Sequence, residues 1–183
     1  MPKRFIDILA IFLLMVMFSV SSVPELGLGS SGSLLLASYI DITNKVTVSI
    51  KLTHPKEGSF FLEANFIPPS GYHLYSKDLP VTGINGQGRP TLLELPSNSR
   101  MQSIGALSES VGADMVDDEP DGPLVYPDGP VTLTLPIKLP LTRGWVNDQI
   151  SLTYMPCSAL SCKVPTIAKL IPVIVPGVLS VVP

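Results

Sequence analysis

The stretch KVTVSIKLTH, residues 45–54, decides the fold class, because apolar and polar side chains alternate along its length. The apolar residues of this stretch are Val46, Val48, Ile50 and Leu52, and polar residues separate them. A repeat of two residues places all four on one face of a β-strand, since successive side chains of a strand point to opposite sides. The stretch therefore predicts a strand with one face in a core and the other in solvent.

Further short segments between turn signals have strand character: SFFLEANFIP, GYHLYS, PTLLELP, VTLTLPIKLP, QISLTYMPC and KVPTIAKLIPVIVP. Proline accounts for 19 of the 183 residues, roughly twice its usual share, and proline interrupts helices. We therefore predict an all-β fold, an immunoglobulin-like antiparallel β-sandwich of about seven to nine short strands. The signature of antibody domains is missing, because Trp145 is the sole tryptophan and the two cysteines lie too close in sequence to bridge opposing sheets.

The N-terminus has the pattern of an export signal. Lys3 and Arg4 precede an apolar run at residues 8–20, and small residues follow. We predict a signal peptide over residues 1–22, a flexible Gly/Ser-rich leader over 23–36 and one domain over 37–183. The expected location is periplasmic or otherwise extracytoplasmic, where disulfides form. The alternative is an uncleaved anchor, which would bring membrane contact, but the run is short for a ~30 Å hydrocarbon core.

The net charge is −3, so no basic surface predicts nucleic-acid binding. The stretch GADMVDDEPDGP, residues 112–123, carries five carboxylates: Asp114, Asp117, Asp118, Glu119 and Asp121. A solvated loop is the usual role of such a cluster. Calcium binding stays an alternative, although the spacing of an EF-hand is missing.

The stretch TGINGQGRP, residues 82–90, is rich in glycine. A phosphate-binding loop needs a strand before it and a helix after it, and neither is predicted here. The stretch is therefore expected to be a surface loop rather than a nucleotide site.

The only two cysteines, Cys157 and Cys162, lie in YMPCSALSC, residues 154–162. A structural zinc needs about four ligands, and His54 and His73 are the only histidines. A disulfide is the simpler expectation in an exported chain. A disulfide that closes a loop of about 15 residues stabilises a fold by ~3 kcal/mol, and one that closes a shorter loop stabilises it less. Because this bond would add little stability, a redox role is favoured over a structural one. A local structural disulfide stays open as the alternative.

Four segments carry a resemblance to a known family: PPSGYHLYSKDLP, GQGRPT, DGPVTLTLPIKLP and ISLTYMPCSALSC, in this order. Over roughly residues 45–175 the chain resembles the N-terminal periplasmic domain of the transmembrane thiol:disulfide interchange reductase DsbD. The resemblance implies an immunoglobulin-like sandwich with a redox cysteine pair near one end, and no cofactor. It also implies a component of a protein-disulfide reductase, with thioredoxin-like oxidoreductases as partners and a membrane electron donor in trans.

The resemblance further implies roles for single residues. Cys162 would be the accessible sulfur that enters mixed disulfides and Cys157 its partner thiol, with the hydroxyl of Tyr75 beside them. His73 shares a strand face with Tyr75 and is the departure from the family pattern; an ordinary half-buried strand pair stays the alternative for both residues. A short cap loop would cover the pair, and the residues in the matching position are Asp117, Asp118, Glu119, Pro120 and Asp121. This loop lacks an aromatic tip, and Met115 or Leu124 would take its place. The competing function is a non-enzymatic immunoglobulin-like binding or structural domain with a local disulfide.

Overall fold

The computed structural model describes residues 32–56, 58–115 and 122–180. The predicted signal peptide and the five cap-loop residues lie outside these ranges. In the described ranges no helix has the length and apolar character needed to cross a membrane. The elements are β1 (Gly32–Ile40), β2 (Thr47–Lys56), β3 (Ser59–Ile67), β4 (Leu92–Glu94), β5 (Gln102–Ser103), β6 (Ser108–Glu109), β7 (Asp114–Met115), β8 (Leu124–Val125), β9 (Val131–Lys138), β10 (Trp145–Tyr154), β11 (Thr166–Pro176) and a 3₁₀ helix (Val178–Ser180).

The strands form two main antiparallel sheets and a small hairpin. The first sheet has the order β1-β2-β3-β9-β5, with β6 also paired to β9. The second has the order β11-β10-β4, and β7 and β8 form the hairpin. The structure thus confirms the predicted all-β antiparallel fold, a two-sheet arrangement of immunoglobulin-like type.

One apolar core joins the two main sheets. The alternating residues of β2 and β3 are buried, and Leu133, Ile150 and Val173 represent β9, β10 and β11 in the same cluster. The rings of Phe66 on β3 and Tyr154 on β10 meet across the core, with their centroids 5.5 Å apart. The prediction that residues 45–54 form a strand with one face in the core is confirmed, since Val46, Val48 and Ile50 have no exposed surface and Leu52 has little.

Two sequence expectations need correction. Residues 32–36, assigned to the flexible leader, are the first half of β1, which pairs with β2. GYHLYS, expected to be a strand, joins neither main sheet; His73 and Tyr75 make only isolated bridges, to Cys157, Pro90 and Val125 of β8. In the first case Leu34 and Leu36 pack on the core, and this burial outweighs the Gly/Ser composition before them. In the second, the Pro69–Tyr72 turn directs the chain away from the sheets.

A buried carboxylate ties the turn after β1 to the second sheet. Asp41 is 6% exposed, and its Oδ2 accepts hydrogen bonds from Tyr154 (2.8 Å), Thr166 (3.0 Å) and Lys169 (3.3 Å). Its Oδ1 accepts one from the backbone N–H of Thr43 at 3.0 Å. Burial alone would raise the pKa of Asp41, but these hydrogen bonds and the lysine charge outweigh it and lower the pKa to about 2.

Candidate redox site

The two cysteines form a disulfide across a tight turn just beyond the end of β10. Their Cα atoms lie 4.0 Å apart. The Ser158 N–H donates to the Ser161 carbonyl and the Lys163 N–H to the Pro156 carbonyl, both at 2.9 Å. The Ser158 hydroxyl oxygen also accepts from the backbone N–H groups of Leu160 (3.3 Å) and Ser161 (3.2 Å). The sequence CSALSC thus folds as a small hairpin whose stem is closed by the disulfide.

The two sulfurs differ in their environment. Cys157 is 1% exposed and packs with Tyr75 and Leu79 in a small apolar cluster. Cys162 is exposed on the solvent side of the same turn. The surface beside it is apolar, because Leu160 at the tip of the turn is 96% exposed and Val164 is 65% exposed. Only one end of the disulfide is therefore open to an attacking group.

His73 fixes the buried cysteine through the backbone. The His73 N–H donates to the Cys157 carbonyl at 2.8 Å, and the Cys157 N–H donates to the His73 carbonyl at 3.0 Å. Because side chains alternate along an extended segment, His73 and Tyr75 lie on the same side, and their ring centroids are 5.9 Å apart.

Tyr75 brings a hydroxyl group to the exposed sulfur. Its phenol oxygen lies 3.8 Å from Sγ of Cys162, and its side chain is 8% exposed. Burial raises the pKa of the Tyr75 phenol above its ordinary value, so the hydroxyl keeps its proton at neutral pH. A sulfur in a disulfide has no proton to give, and Tyr75 is therefore the donor in this contact.

The His73 side chain is neutral at neutral pH. Burial lowers its pKa below the usual value, and the charge of Asp128 opposes this only in part. An uncharged imidazole offers no positive charge to a cysteine thiolate.

Tyr72 lies at the edge of the same site. The Lys163 ammonium is 5.0 Å from the centre of its ring, and hydrogen bonds from Ser161 and then Lys163 lower the pKa of the Tyr72 phenol.

The base of the acidic loop lies beside the site. The Ser76 N–H donates to the Leu124 carbonyl at 2.9 Å, and Tyr75 forms an antiparallel bridge with Val125. Val125 packs on the cluster that contains Tyr75 and Cys157. Met115 is 49% and Leu124 37% exposed, and they pair across the β7–β8 hairpin. The predicted cap residues continue from this hairpin, outside the described ranges.

Sequence reasoning missed two residues that hold Tyr75 in place. Thr91 donates both its hydroxyl (2.7 Å) and its backbone N–H (3.2 Å) to the Tyr75 carbonyl. Gly88, which is buried, lies against the Tyr75 ring. Both belong to the segment GQGRPT, whose composition predicts a turn. Their contact with Tyr75, more than ten residues earlier in the chain, has no local sequence signal.

No metal centre accompanies the disulfide in the described part of the chain. There, no three His, Cys, Asp or Glu side chains come close enough together to hold an ion. Both cysteines are bonded to each other, so neither offers a thiolate ligand in this state.

Comparisons with known proteins give one structural likeness. No family model matches the chain, and no curated protein matches its sequence. The chain is similar to the crystal structure of the Neisseria meningitidis DsbD N-terminal domain in the reduced form, with a TM-score of 0.41 and 18% identity. The match covers 63% of this chain and 76% of that one. Likeness at this level transfers no function, since even a shared fold hosts unrelated chemistries.

Proposed function

We propose that the chain is an exported thiol:disulfide exchange domain that relays electrons from a membrane reductase to thioredoxin-like partners through Cys157 and Cys162. The observation that carries this proposal is the unequal exposure of the two sulfurs. Cys162 is open to solvent, whereas Cys157 is 1% exposed. A disulfide with one accessible sulfur defines which atom a partner attacks and which leaves.

The exchange proceeds in two balanced steps. A donor thiolate attacks Sγ of Cys162, the Cys157–Cys162 bond breaks, and Cys157 leaves as a thiolate that takes up a proton. The second thiolate of the donor then attacks the donor sulfur of the mixed disulfide and releases Cys162 as a thiolate, which takes up the second proton. The donor is oxidised to a disulfide, and the domain gains two electrons and two protons. The same steps in reverse reduce a client disulfide.

Tyr75 supports these steps at the exposed sulfur. Its protonated hydroxyl already lies 3.8 Å from Cys162 Sγ in the disulfide form. When Cys162 becomes a thiolate, the same hydroxyl donates to a full negative charge, and hydrogen bonds to charged groups are stronger than neutral ones. Tyr75 therefore stabilises Cys162 as leaving group and as nucleophile.

A trapping experiment tests the relay. In Cys157→Ala, the exposed Cys162 keeps a mixed disulfide that no second thiol resolves, so we expect covalent capture of thioredoxin-fold proteins from an extracytoplasmic extract. The matched control is Cys162→Ala, which leaves only the buried thiol and should capture almost nothing. If both variants capture the same background, the proposed relay is wrong.

The competing function, a local staple in a binding or structural domain, makes a different prediction. A staple resists exchange, whereas a relay disulfide is reduced by thioredoxin and by a moderate excess of dithiothreitol. Titration of the purified protein against dithiothreitol, followed by thiol alkylation and mass measurement, separates the two. A disulfide that stays intact under these conditions contradicts the relay and favours the staple.

The export signal over residues 1–22 and an extracytoplasmic location belong to the same proposal. They rest on the charge and hydropathy pattern of the N-terminus. Sequencing the N-terminus of protein recovered from the exported fraction checks both: we expect it to begin at or near residue 23, and an intact Met1 in membranes would instead indicate an anchor.

A further inference from the structure

The glycine-rich loop, residues 82–90, has a defined conformation. Ile84 and Gln87 exchange both backbone hydrogen bonds at 2.9 Å. Asn85 and Gly86 between them have φ values of +51° and +78°, the two positive angles that a type I′ turn requires. The loop is thus a miniature hairpin.

The Arg89 side chain binds backbone carbonyls of this hairpin. Its Nη1 donates to the carbonyls of Thr82 (3.0 Å) and Gly86 (3.1 Å), and also to that of Gly88. One guanidinium group therefore ties three points of the loop together. Backbone carbonyls bound in this way hold the loop in one position relative to the segment that follows it.

Gly88 is the point where the loop contacts the redox site. A Cβ atom at this position would lie 3.1 Å from Cζ and 3.2 Å from Cε1 of Tyr75, and 3.0 Å from Cδ2 of Leu79. These distances are below ordinary carbon–carbon contact. Cζ carries the phenol oxygen that faces Cys162, so a side chain at position 88 would press on the reactive end of the ring.

We propose that Gly88 is a positioning residue for the disulfide: its lack of a side chain lets the Tyr75 ring lie flush against the loop, with its hydroxyl at Cys162 Sγ. This inference rests on the proposed exchange function, and it assigns a role to the glycine-rich loop. Thr91 holds the backbone of Tyr75, Gly88 sets the position of its ring, and Arg89 keeps Gly88 in place. Gly88 touches neither sulfur and acts only through Tyr75.

The loop contains its own matched control. Gly86 has φ +78° and Gly88 has φ +77°, but a Cβ at Gly86 would meet nothing within 4 Å. Gly86→Ala and Gly88→Ala therefore both place an alanine at a positive φ of nearly the same value, and only the second presses on Tyr75. Any difference between them reports the contacts of the new Cβ with Tyr75 and Leu79, and the Tyr75→Phe background identifies the part that acts through the hydroxyl.

The test measures the ionisation of Cys162 directly, without a protein partner. In the Cys157→Ala background, the rate of alkylation of Cys162 is followed against pH. We expect Gly88→Ala to reduce the thiolate fraction at neutral pH about 3- to 10-fold, as Tyr75→Phe does, while Gly86→Ala leaves the profile unchanged. Combined with Tyr75→Phe, Gly88→Ala should add no further shift, because both act through the same hydroxyl.

The proposal is overturned if Gly88→Ala and Gly86→Ala give the same alkylation profile, or if the full effect of Gly88→Ala persists without the Tyr75 hydroxyl. Should Gly88→Ala not fold, the double variant with Tyr75→Ala decides. Recovery of folding identifies the ring as what the new Cβ meets. If the double variant fails to fold while Tyr75→Ala alone folds, Leu79 is the obstacle and the proposal is contradicted. Because alkylation needs no partner, these results stand apart from the trapping experiment, whose failure would refute the relay alone.

Discussion

His73 and Cys157 exchange both of their backbone hydrogen bonds, although the two residues lie in separate loops. This pairing fixes the buried cysteine to the segment that also carries Tyr75. The exposed cysteine lies five positions further on, across a turn, and meets the Tyr75 hydroxyl. The segment from His73 to Tyr75 therefore contacts both cysteines: its backbone binds Cys157, and the Tyr75 side chain meets Cys162.

Removal of the Tyr75 hydroxyl should make Cys162 a weaker acid. Tyr75→Phe keeps the ring but deletes the donor 3.8 Å from Sγ, so the thiolate loses a charge-assisted hydrogen bond of about 1.5 kcal/mol. We expect the alkylation profile of Cys162 to move to higher pH by roughly one unit. Tyr39→Phe, which removes a phenol hydroxyl that contacts Tyr154 instead, should leave the profile in place. An unshifted profile in Tyr75→Phe would show that the hydroxyl does not act on the sulfur.

Leu160 should matter for protein partners and not for small reductants. It is 96% exposed at the tip of the cysteine turn, so a protein that covers Cys162 also covers this side chain. We expect Leu160→Ala to slow reduction by thioredoxin about 5- to 20-fold, because an apolar interface contact is lost. Reduction by dithiothreitol should keep its rate.

The control for that experiment is Leu141→Ala. Leu141 is 78% exposed but precedes β10 at the opposite end of that strand from the cysteines, so its removal should change neither rate. Equal slowing by Leu160→Ala with both reductants would indicate damage to the turn rather than loss of a docking contact.

Reduction of the disulfide should leave the domain folded. A closed loop of six residues contributes about 2 kcal/mol by the chain-entropy relation, which corresponds to a fall in Tm of about 4–8 °C for a domain of this size. Thermal unfolding with and without dithiothreitol, followed by near-ultraviolet circular dichroism, measures this. Loss of the native spectrum at room temperature on reduction would mean that the bond holds the fold together.

Asp41 should make stability fall in acid. Its pKa in the folded protein is about 2, below the ordinary 3.8. The carboxylate therefore contributes stability above pH 3.8 that is lost as the pH falls towards 2, an amount of about 2 kcal/mol. Urea unfolding of Asp41→Asn should show a deficit of this size at neutral pH that narrows as the pH falls from 3.8 through 2, where Asp41 itself becomes protonated. Asp78→Asn, at an exposed carboxylate, should show no such deficit; a constant deficit in Asp41→Asn would contradict the assignment.

The sequence predicts the strands that alternate, and it does so for a local reason. In β2 the inward residues Val48, Ile50 and Leu52 are apolar, with the buried His54 as the exception, and in β9 every inward residue is apolar. A period of two is therefore visible without any partner. β1 was missed because the run that leads into it, GLGSSGS, has the composition of a linker. Its strand structure comes from pairing with β2 and from the packing of Leu34 and Leu36 on the core.

In the candidate site, too, the features set by local sequence could be predicted and those set by distant contacts could not. The cysteine turn is local, and a disulfide is predicted from the export signal and from the lack of further zinc ligands. The contact between Tyr75 and Cys162 spans 87 positions, and the resemblance to a known family, not the residue pattern, drew attention to Tyr75. Gly88 and Thr91 were not identified, because a glycine or threonine that supports a distant ring carries no mark of that role in its own neighbourhood.

The segment around Tyr75 is held by single bridges, to Cys157, Val125 and Pro90, and not by a continuous ladder. Regions of this kind open locally at a small free-energy cost, whereas paired strands in a core exchange only on global unfolding. In amide hydrogen exchange, His73, Cys157 and Tyr126 should therefore lose protection well before residues of β2 and β3. Under the proposed exchange function, a partner could open this end of the domain without separating the strands of the two sheets, so that repeated exchange would not require global unfolding.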